Sequence, residues 1–160
     1  MIVYNSNYDA DYEGFAVAAS QNIKAGDRVS IVASSDVGTG AGYVVPSQDA
    51  VGEIVLGSAK NDVKTDSSRF LADGETLGHV LIQRRGISSS YSLVTDGSED
   101  VYLGATVYSH DATSVATAAH ATNDIVSGTI EYFCTADGAK LEKIVKVTGN
   151  GSFVAIRNLG

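Results

Sequence analysis

Turn dipeptides that contain glycine divide this chain into short apolar runs, and they constrain its fold more than any other feature. Four of them, Asp73-Gly74, Asp96-Gly97, Asp137-Gly138 and Asn150-Gly151, tolerate the positive φ that tight hairpin turns require. The runs between them are rich in β-branched and aromatic residues, and no stretch keeps a convincing helical period. The sequence predicts strands at 28–33, 52–56, 78–83, 101–108, 127–134, 140–147 and 152–156. The expected fold is therefore all-β, a compact antiparallel β-barrel or β-sandwich.

The length of 160 residues favours one domain, or two small β modules that share a core. We expect an extended N-terminal arm over residues 1–14 and a single β domain over residues 15–160. Residues 26–31 resemble residues 104–109, and a glycine-containing strand follows each of them, at Gly52 and at Gly128. This similarity hints at an internal repeat without establishing a duplication.

One segment does not fit the strand pattern. Residues 111–122 are rich in alanine, and Asp111 stands where a helix could begin. Three threonines and Val115 weaken a helix, because β-branched side chains lose rotamer freedom in it. A short helix and an extended loop both remain open for this segment.

The charge of the chain restricts its partners. It has 11 Lys and Arg against 19 Asp and Glu, which gives a net charge of −8. Nucleic-acid-binding domains normally carry a basic stripe, so we expect neither a nucleic acid nor an anionic membrane as partner. The pair Arg84-Arg85 is interpreted as a solvated strand end rather than an anion contact.

The chain also lacks sequence signals for membranes and secretion. No run reaches the roughly 18 apolar residues of a membrane helix. Residues 1–14 have no basic and apolar regions of the kind that signal peptides contain, so we expect synthesis in the cytoplasm. The single cysteine, Cys134, lies in an apolar run and is interpreted as a small buried side chain rather than a nucleophile.

Motifs for catalysis, metals or cofactors are not found in the sequence. The three histidines, His79, His110 and His120, have neither the HExxH pattern nor zinc-ligand spacing. His110 and Asp111 could form part of a catalytic triad, but no Gly-x-Ser-x-Gly elbow accompanies them. Phosphate-binding glycine motifs are absent as well. We therefore expect no enzyme, no metal site and no cofactor.

The N-terminal arm alternates acidic and aromatic positions. Asp9 and Asp11 continue a series of oxygen-bearing side chains at every second residue, which resembles the ligand spacing of a calcium loop. An EF-hand needs glycine and glutamate where this chain has Ala10 and Ala16, so that motif fails. A solvated acidic surface is favoured over a weak cation site.

Tyr4, Tyr8 and Tyr12 occupy even positions, whereas the acidic residues of the arm occupy odd ones. On an extended chain the tyrosines therefore share one face and the carboxylates the other. Tyrosine is enriched at protein interfaces because it offers a large rigid ring with a polar tip. Contact with a partner and packing against the chain's own core are equally open for these rings.

Several segments resemble the cement or head decoration proteins of tailed-bacteriophage capsids. Residues 15–31, with an alanine-rich strand before Gly-Asp-x-Val, are similar to the opening of these proteins. Residues 102–108 resemble a later strand, and residues 139–147 with 151–158 resemble the closing hairpin. Residues 56–86 do not align with the family pattern.

This resemblance implies a structural virion protein without catalytic residues. It implies a β fold bound to the outer capsid surface, with the major capsid protein as partner, and a homotrimer that bridges neighbouring capsomers. The predicted capsid-contact residues are Tyr4, Tyr8, Tyr12, Asp9 and Asp11. The alternatives are a carbohydrate- or cell-surface-binding β module, such as an adhesin or spike domain, and an enzyme assembled from distant strands.

Overall fold

The computed structural model describes residues 12–32, 42–95, 101–134 and 153–159. They form twelve strands and contain no α-helix, so the predicted all-β class is confirmed. The strands are β1 (Tyr12–Ala16), β2 (Asn22–Ile23), β3 (Arg28–Ile31), β4 (Val44–Pro46), β5 (Ile54–Ala59), β6 (Val63–Lys64), β7 (His79–Gln83), β8 (Arg85–Val94), β9 (Thr106–Ser109), β10 (Ser114–Ala116), β11 (Val126–Cys134) and β12 (Phe153–Leu159).

The first module is a five-stranded antiparallel sheet with the strand order β1-β7-β5-β3-β4. A parallel bridge joins Val17, just after β1, to Val44 in β4 and so brings the two outer strands together. The short strands β2 and β6 pair with each other beside this sheet. Its apolar cluster consists of Val17, Ile23, Val29, Val44, Leu56, Ala59, Val63, Val80 and Ile82, with Phe15, Ile31 and Leu71 packed against it.

The second module is a closed barrel with the strand order β10-β8-β12-β11-β9. The pair β10–β8 is parallel, and the other pairs are antiparallel. Its apolar cluster consists of Tyr91, Leu93, Val101, Val107, Val115 and Ile130.

The two modules repeat the same strand order in the same register. Strands β1, β7, β5, β3 and β4 correspond to β8, β12, β11, β9 and β10. Val29 pairs with Gly57 where Val107 pairs with Gly128, and each ladder skips one residue directly after this pair. The other ladders match as well. The pair Ala59–Ile82 of the first module corresponds to Ile130–Ile156 of the second, and the pair Val17–Val44 corresponds to Leu93–Val115. A β-bulge is one extra residue in one strand of a pair. Because the bulge occurs at the same position in both modules, the modules are repeats of one unit.

The apolar clusters follow the same correspondence. Every member of the second cluster has a counterpart in or against the first, and the matched pairs are Phe15 and Tyr91, Val17 and Leu93, Ile23 and Val101, Val29 and Val107, Val44 and Val115, and Ala59 and Ile130. The sequence allowed two modules that share a core. In the structure each module has its own cluster.

The repeat can be traced in the sequence once the register is known. Residues 43–59 align with residues 114–130 without a gap, and residues 78–86 align with 152–160. The similarity noted between residues 26–31 and 104–109 is confirmed, since the N–H groups of Gly26 and Gly104 donate to the equivalent carbonyls of Ala59 and Ile130, both at 2.8 Å. The expected match of Gly52 with Gly128 is wrong, because the counterpart of Gly128 is Gly57.

Gly57 cannot be another residue without a change in the sheet. Its φ is +151°, and a Cβ atom there would lie 2.0 Å from the carbonyl oxygen of Gln83. The bulge therefore depends on glycine, which has no Cβ.

The predicted boundary of the N-terminal arm at residue 14 is corrected. Tyr12, Glu13 and Gly14 pair with β7 through Gln83, Ile82 and Leu81 and so belong to the first sheet. Residues 1–11 lie outside the described residues.

Other predictions change in part. The strand predicted at 101–108 begins at Thr106, because Gly104 with φ +86° makes a turn before it. In segment 111–122 the structure has the strand β10 and then a 3-10 turn over Ala118–His120. The Asp73-Gly74 turn is confirmed, with φ +75° at Gly74. The strand at 140–147 and the turns at 96–97, 137–138 and 150–151 fall outside the described residues.

Candidate interaction surface

Arg28, in β3, is the centre of the junction between the two modules. Its side chain is 1% exposed, and its Nε donates to Ser127 Oγ in the second module at 3.0 Å. Nη2 donates to the Ser127 carbonyl oxygen, and Nη1 donates to Ser58 Oγ at 3.2 Å. Burial lowers the pKa of Arg28, and Tyr91 opposes this shift. A guanidinium keeps its charge in proteins, so the junction encloses a hydrogen-bonded cation.

Tyr91 joins the core of the second module to the first. Its ring belongs to the second apolar cluster, and the Cζ atom of Arg28 lies 5.4 Å from the ring centroid. Its hydroxyl donates to the Gly26 carbonyl oxygen at 2.6 Å and lies 2.6 Å from Ser58 Oγ. The orientation of the modules is therefore fixed by hydrogen bonds from a core side chain.

Glu53 anchors a second part of the junction. It is 5% exposed, and its Oε1 accepts a hydrogen bond from Ser109 Oγ of the second module at 2.9 Å. Ser30 Oγ also donates to Oε1, and the N–H of Ala50 donates to Oε2 at 2.8 Å. A buried carboxylate with several donors is held in one position, which makes this contact rigid.

Backbone contacts complete the junction. Asp49 accepts hydrogen bonds from the N–H groups of Thr122 at 2.6 Å and Asn123 at 3.1 Å. The N–H of Arg28 donates to the carbonyl oxygen of Ala112 at 2.7 Å. The junction is thus polar, in contrast to the apolar interior of each module.

The repeat defines two kinds of face. The inner A face, on the first module, consists of Arg28, Asp49, Glu53 and Ser58. The inner B face, on the second module, consists of Ser109, Thr122, Asn123 and Ser127. The equivalent outer A face, on the second module, consists of Thr106, His120, Asp124 and Thr129. The equivalent outer B face, on the first module, consists of Ile31, Val51, Gly52 and Leu56.

The outer A face is open where the inner A face is buried. Thr106 and Asp124 are exposed, although their counterparts Arg28 and Glu53 are among the most buried polar residues. A cavity of about 430 Å³ lies here, and its lining includes Tyr102, Thr106, Tyr108, Thr117 and Ala118. Tyr102 and Leu103 at its margin are 61% and 56% exposed.

On the outer B face the apolar side chain of Val51 is open to solvent, whereas Leu56 is 6% exposed within the first apolar cluster and Ile31 packs against that cluster. Val51 is 80% exposed, and the neighbouring Ile54 is 59% exposed. Both lie in the segment that aligns without a gap to the second module, where Thr122 occupies the position of Val51. Exposed apolar side chains in a group mark interaction surfaces.

Of the predicted capsid-contact residues, only Tyr12 lies in the described part of the chain; Tyr4, Tyr8, Asp9 and Asp11 lie outside it. Tyr12 begins β1 and is half-buried, with Lys60 Nζ 5.4 Å from its ring centroid. Its ring therefore packs against the first module, one of the two arrangements that the sequence left open. Sequence reasoning missed the junction residues, since Arg28 and Glu53 resemble surface residues by type.

His110 and Asp111 come together with a serine, but not in the geometry of a catalytic triad. Nδ1 of His110 lies 3.2 Å from Asp111 Oδ2 and 2.8 Å from Ser114 Oγ. In a triad the carboxylate and the nucleophile bind opposite ring nitrogens, which allows the imidazole to pass a proton between them. Here both contact one nitrogen, and hydrogen bonds from the hydroxyl and N–H of Thr113 also hold Asp111.

The other polar residues that the sequence singles out lie on or beside β7. His79 is exposed in β7, with Nδ1 near the Leu77 carbonyl oxygen at 3.2 Å. Arg84 and Arg85 lie where β7 ends and β8 begins, and Arg84 pairs with Glu13 at 3.1 Å. Within the described ranges, no three His, Cys, Asp or Glu side chains are grouped as metal ligands would be. No helix in the same ranges has the length and apolarity to span a membrane.

Comparison of the chain with protein-family models, with curated proteins and with solved structures finds no match.

Proposed function

We propose that this chain is a capsid decoration protein that binds the outer surface of a tailed-virus capsid and stabilises neighbouring capsomers. The proposal starts from the resemblance of residues 15–31 and 102–108 to such proteins. It is a structural role without catalysis, with the major capsid protein and further copies of the chain as partners. The site of action is the outer surface of the virion.

The observation that carries the proposal is the position of β1. Residues 12–15 pair with β7 on one side, and no other strand of the described residues pairs with them on the other side. An edge strand offers free backbone N–H and C=O groups, to which another chain can add a strand. The segment with Tyr4, Tyr8, Asp9 and Asp11 leads directly into this edge strand.

Physical linkage makes such a role effective. A protein that binds only the assembled shell stabilises it in proportion to the logarithm of the free concentration over Kd. Many copies on one shell multiply a small contribution per site. The acidic charge keeps the free protein soluble before it binds.

Co-sedimentation with capsids that lack the protein tests this proposal. The full chain is compared with a chain that begins at Asp11, so that β1 stays intact. We expect saturable binding by the full chain and weaker binding by the truncated one. A chain that binds no capsid in either form would overturn the proposal.

The cavity on the outer A face favours a second candidate, a carbohydrate-binding module. Tyr102 and Tyr108 line an open cavity beside Thr106, and exposed aromatic rings next to hydroxyl groups suit a sugar ring. A glycan screen with the wild type and Tyr102→Ala tests it. Specific glycan binding that the substitution abolishes would favour this function, and no binding to any glycan would exclude it.

A further inference from the structure

The junction inside the chain joins unlike surfaces. An A face of the first module contacts a B face of the second, and because the modules are repeats, each also carries the face that it does not use. The outer A face and the outer B face therefore occupy the same backbone positions as two surfaces that already fit each other once, with different side chains. An interface between unlike surfaces can be repeated from copy to copy, which a two-fold symmetric interface cannot.

The outer B face is less polar than the inner B face. Polar residues of the inner B face, Ser109 and Thr122, are replaced by Ile31 and Val51 on the outer B face. On the A side Ser30 and Ser47 are likewise replaced by Tyr108 and Ala118, whereas Asp49, Glu53 and Ser58 keep polar counterparts in His120, Asp124 and Thr129. Polar meets polar within the chain. At an outer junction the exposed side chain of Val51 would meet the outer A face, whose own members are polar and whose margin carries the exposed side chains of Tyr102 and Leu103.

One difference between the inner and outer A faces, Thr106 in place of Arg28, is matched by a second arginine in the first module, Arg84. Inside the chain, Arg28 lies over the ring of Tyr91. Phe15 is the counterpart of Tyr91, and Arg84 of the same module already lies over it, with Cζ 5.8 Å from the ring centroid. The counterpart of Arg28 on the outer A face is the short Thr106, which leaves the space over Phe15 to Arg84.

We propose that the outer A face of one copy of this chain binds the outer B face of the next copy, head to tail, in the arrangement of the internal junction. In that arrangement Val51 of one copy meets His120 of the next, as Thr122 meets Asp49 within the chain, and Leu56 lies opposite Thr106, as Ser127 lies opposite Arg28. The association is a property of the purified chain and needs no capsid. Repetition closes a ring if the rotation per module permits it, and otherwise extends a filament.

The test uses one substitution on each outer face. Val51→Asp and Thr106→Asp place a carboxylate in the proposed contact, and both positions are exposed, so the fold should tolerate them. Leu77→Asp, at another exposed apolar position outside all four faces, is the matched control. Sedimentation velocity gives the mass of each species, and circular dichroism checks that each variant is folded.

We expect the wild type and Leu77→Asp to form species larger than the 16.6 kDa chain, and each outer-face variant alone to remain a single chain. An equimolar mixture of Val51→Asp and Thr106→Asp should form pairs, because one intact A face then meets one intact B face. A single-chain wild type would overturn the proposal. So would assembly that survives either substitution, or a mixture that forms no pairs.

Discussion

The two modules have one backbone plan and opposite surfaces at equivalent positions. Matched apolar residues fill both cores, and the same bulge bends both central ladders at Gly57 and Gly128. Arg28 on the first module is enclosed and hydrogen-bonded, whereas Thr106 at the same position on the second is exposed. The comparison separates two kinds of information: glycines and core side chains specify the unit, and a few surface positions specify what the unit contacts.

The largest effect should come from Arg28. Arg28→Ala removes three hydrogen bonds to Ser58 and Ser127 and leaves a cavity under Tyr91. The Ser58 and Ser127 groups left without a donor cost about 1–3 kcal/mol each and the cavity adds to this, so urea unfolding should show a decrease of about 3–5 kcal/mol. Thr106→Ala, the matched change on the second module, should alter the free energy of unfolding by less than about 0.5 kcal/mol. Equal effects at the two positions would contradict the assignment of inner and outer faces.

The next effect should come from the bulge. Gly57→Ala places a methyl group against the Gln83 carbonyl oxygen at a φ that L-residues rarely adopt. We expect a loss of roughly 3 kcal/mol in thermal or urea unfolding. Gly14→Ala, in β1 with no atom within 4 Å of the added Cβ, is the control and should change little. Gly128→Ala tests whether the second bulge depends on glycine in the same way, and a neutral effect there would show that the two bulges differ in this respect.

A smaller effect is expected at Glu53. Glu53→Gln keeps the size of the side chain but puts an amide N–H₂ group among donors from Ser30, Ser109 and Ala50. The mismatch should cost about 1–2 kcal/mol in the free energy of unfolding. Asp124→Asn is the equivalent exposed change and should be neutral. If the two variants are equally stable, the buried carboxylate does not hold the junction.

The smallest effect should be at the turn of the first module that contains Asp73. Hydrogen bonds from the N–H groups of Glu75 and Thr76 lower the pKa of Asp73 from its usual value of 3.8. A carboxyl group with a lowered pKa stabilises the fold above its unfolded-state pKa, and the contribution is lost as the pH falls through the folded-state pKa. The stability difference between the wild type and Asp73→Asn should therefore be present at pH 6 and disappear at strongly acidic pH. A difference that grows on acidification would contradict this sign.

The sequence predicts the fold class well, because turn glycines and β-branched runs are local signals. The similarity of residues 26–31 and 104–109 pointed to the repeat, but the loops between matched strands differ in length and obscure the register. β8 was missed as a strand because its central residues, 88–90, are three serines without an apolar alternation. Its place in the barrel comes from pairing with β12 and β10, which are distant in sequence.

The junction was not predictable from residue types. Arginine and glutamate are rarely fully buried, and a single sequence gives no sign that Ser127 and Ser109 will enclose Arg28 and Glu53. Alignment of the two halves provides the missing signal. Once residues 43–59 are set against residues 114–130, exposed Val51 stands opposite Thr122, and the difference points to a surface with a new partner.

Cross-linking between residue 51 of one copy and residue 120 of another tests most directly whether the outer faces bind each other head to tail. Inside the chain Asp49 contacts Thr122, and the equivalent residues on the outer faces are His120 and Val51. A chain with Val51→Cys and His120→Cys is treated with a short bis-maleimide, beside the wild type, which has only Cys134. The account predicts a ladder of linked chains in which peptide mapping finds residue 51 of one copy joined to residue 120 of another. Linked chains joined only as 51 to 51 or 120 to 120, or no linked chains beyond those of the wild type, would contradict it.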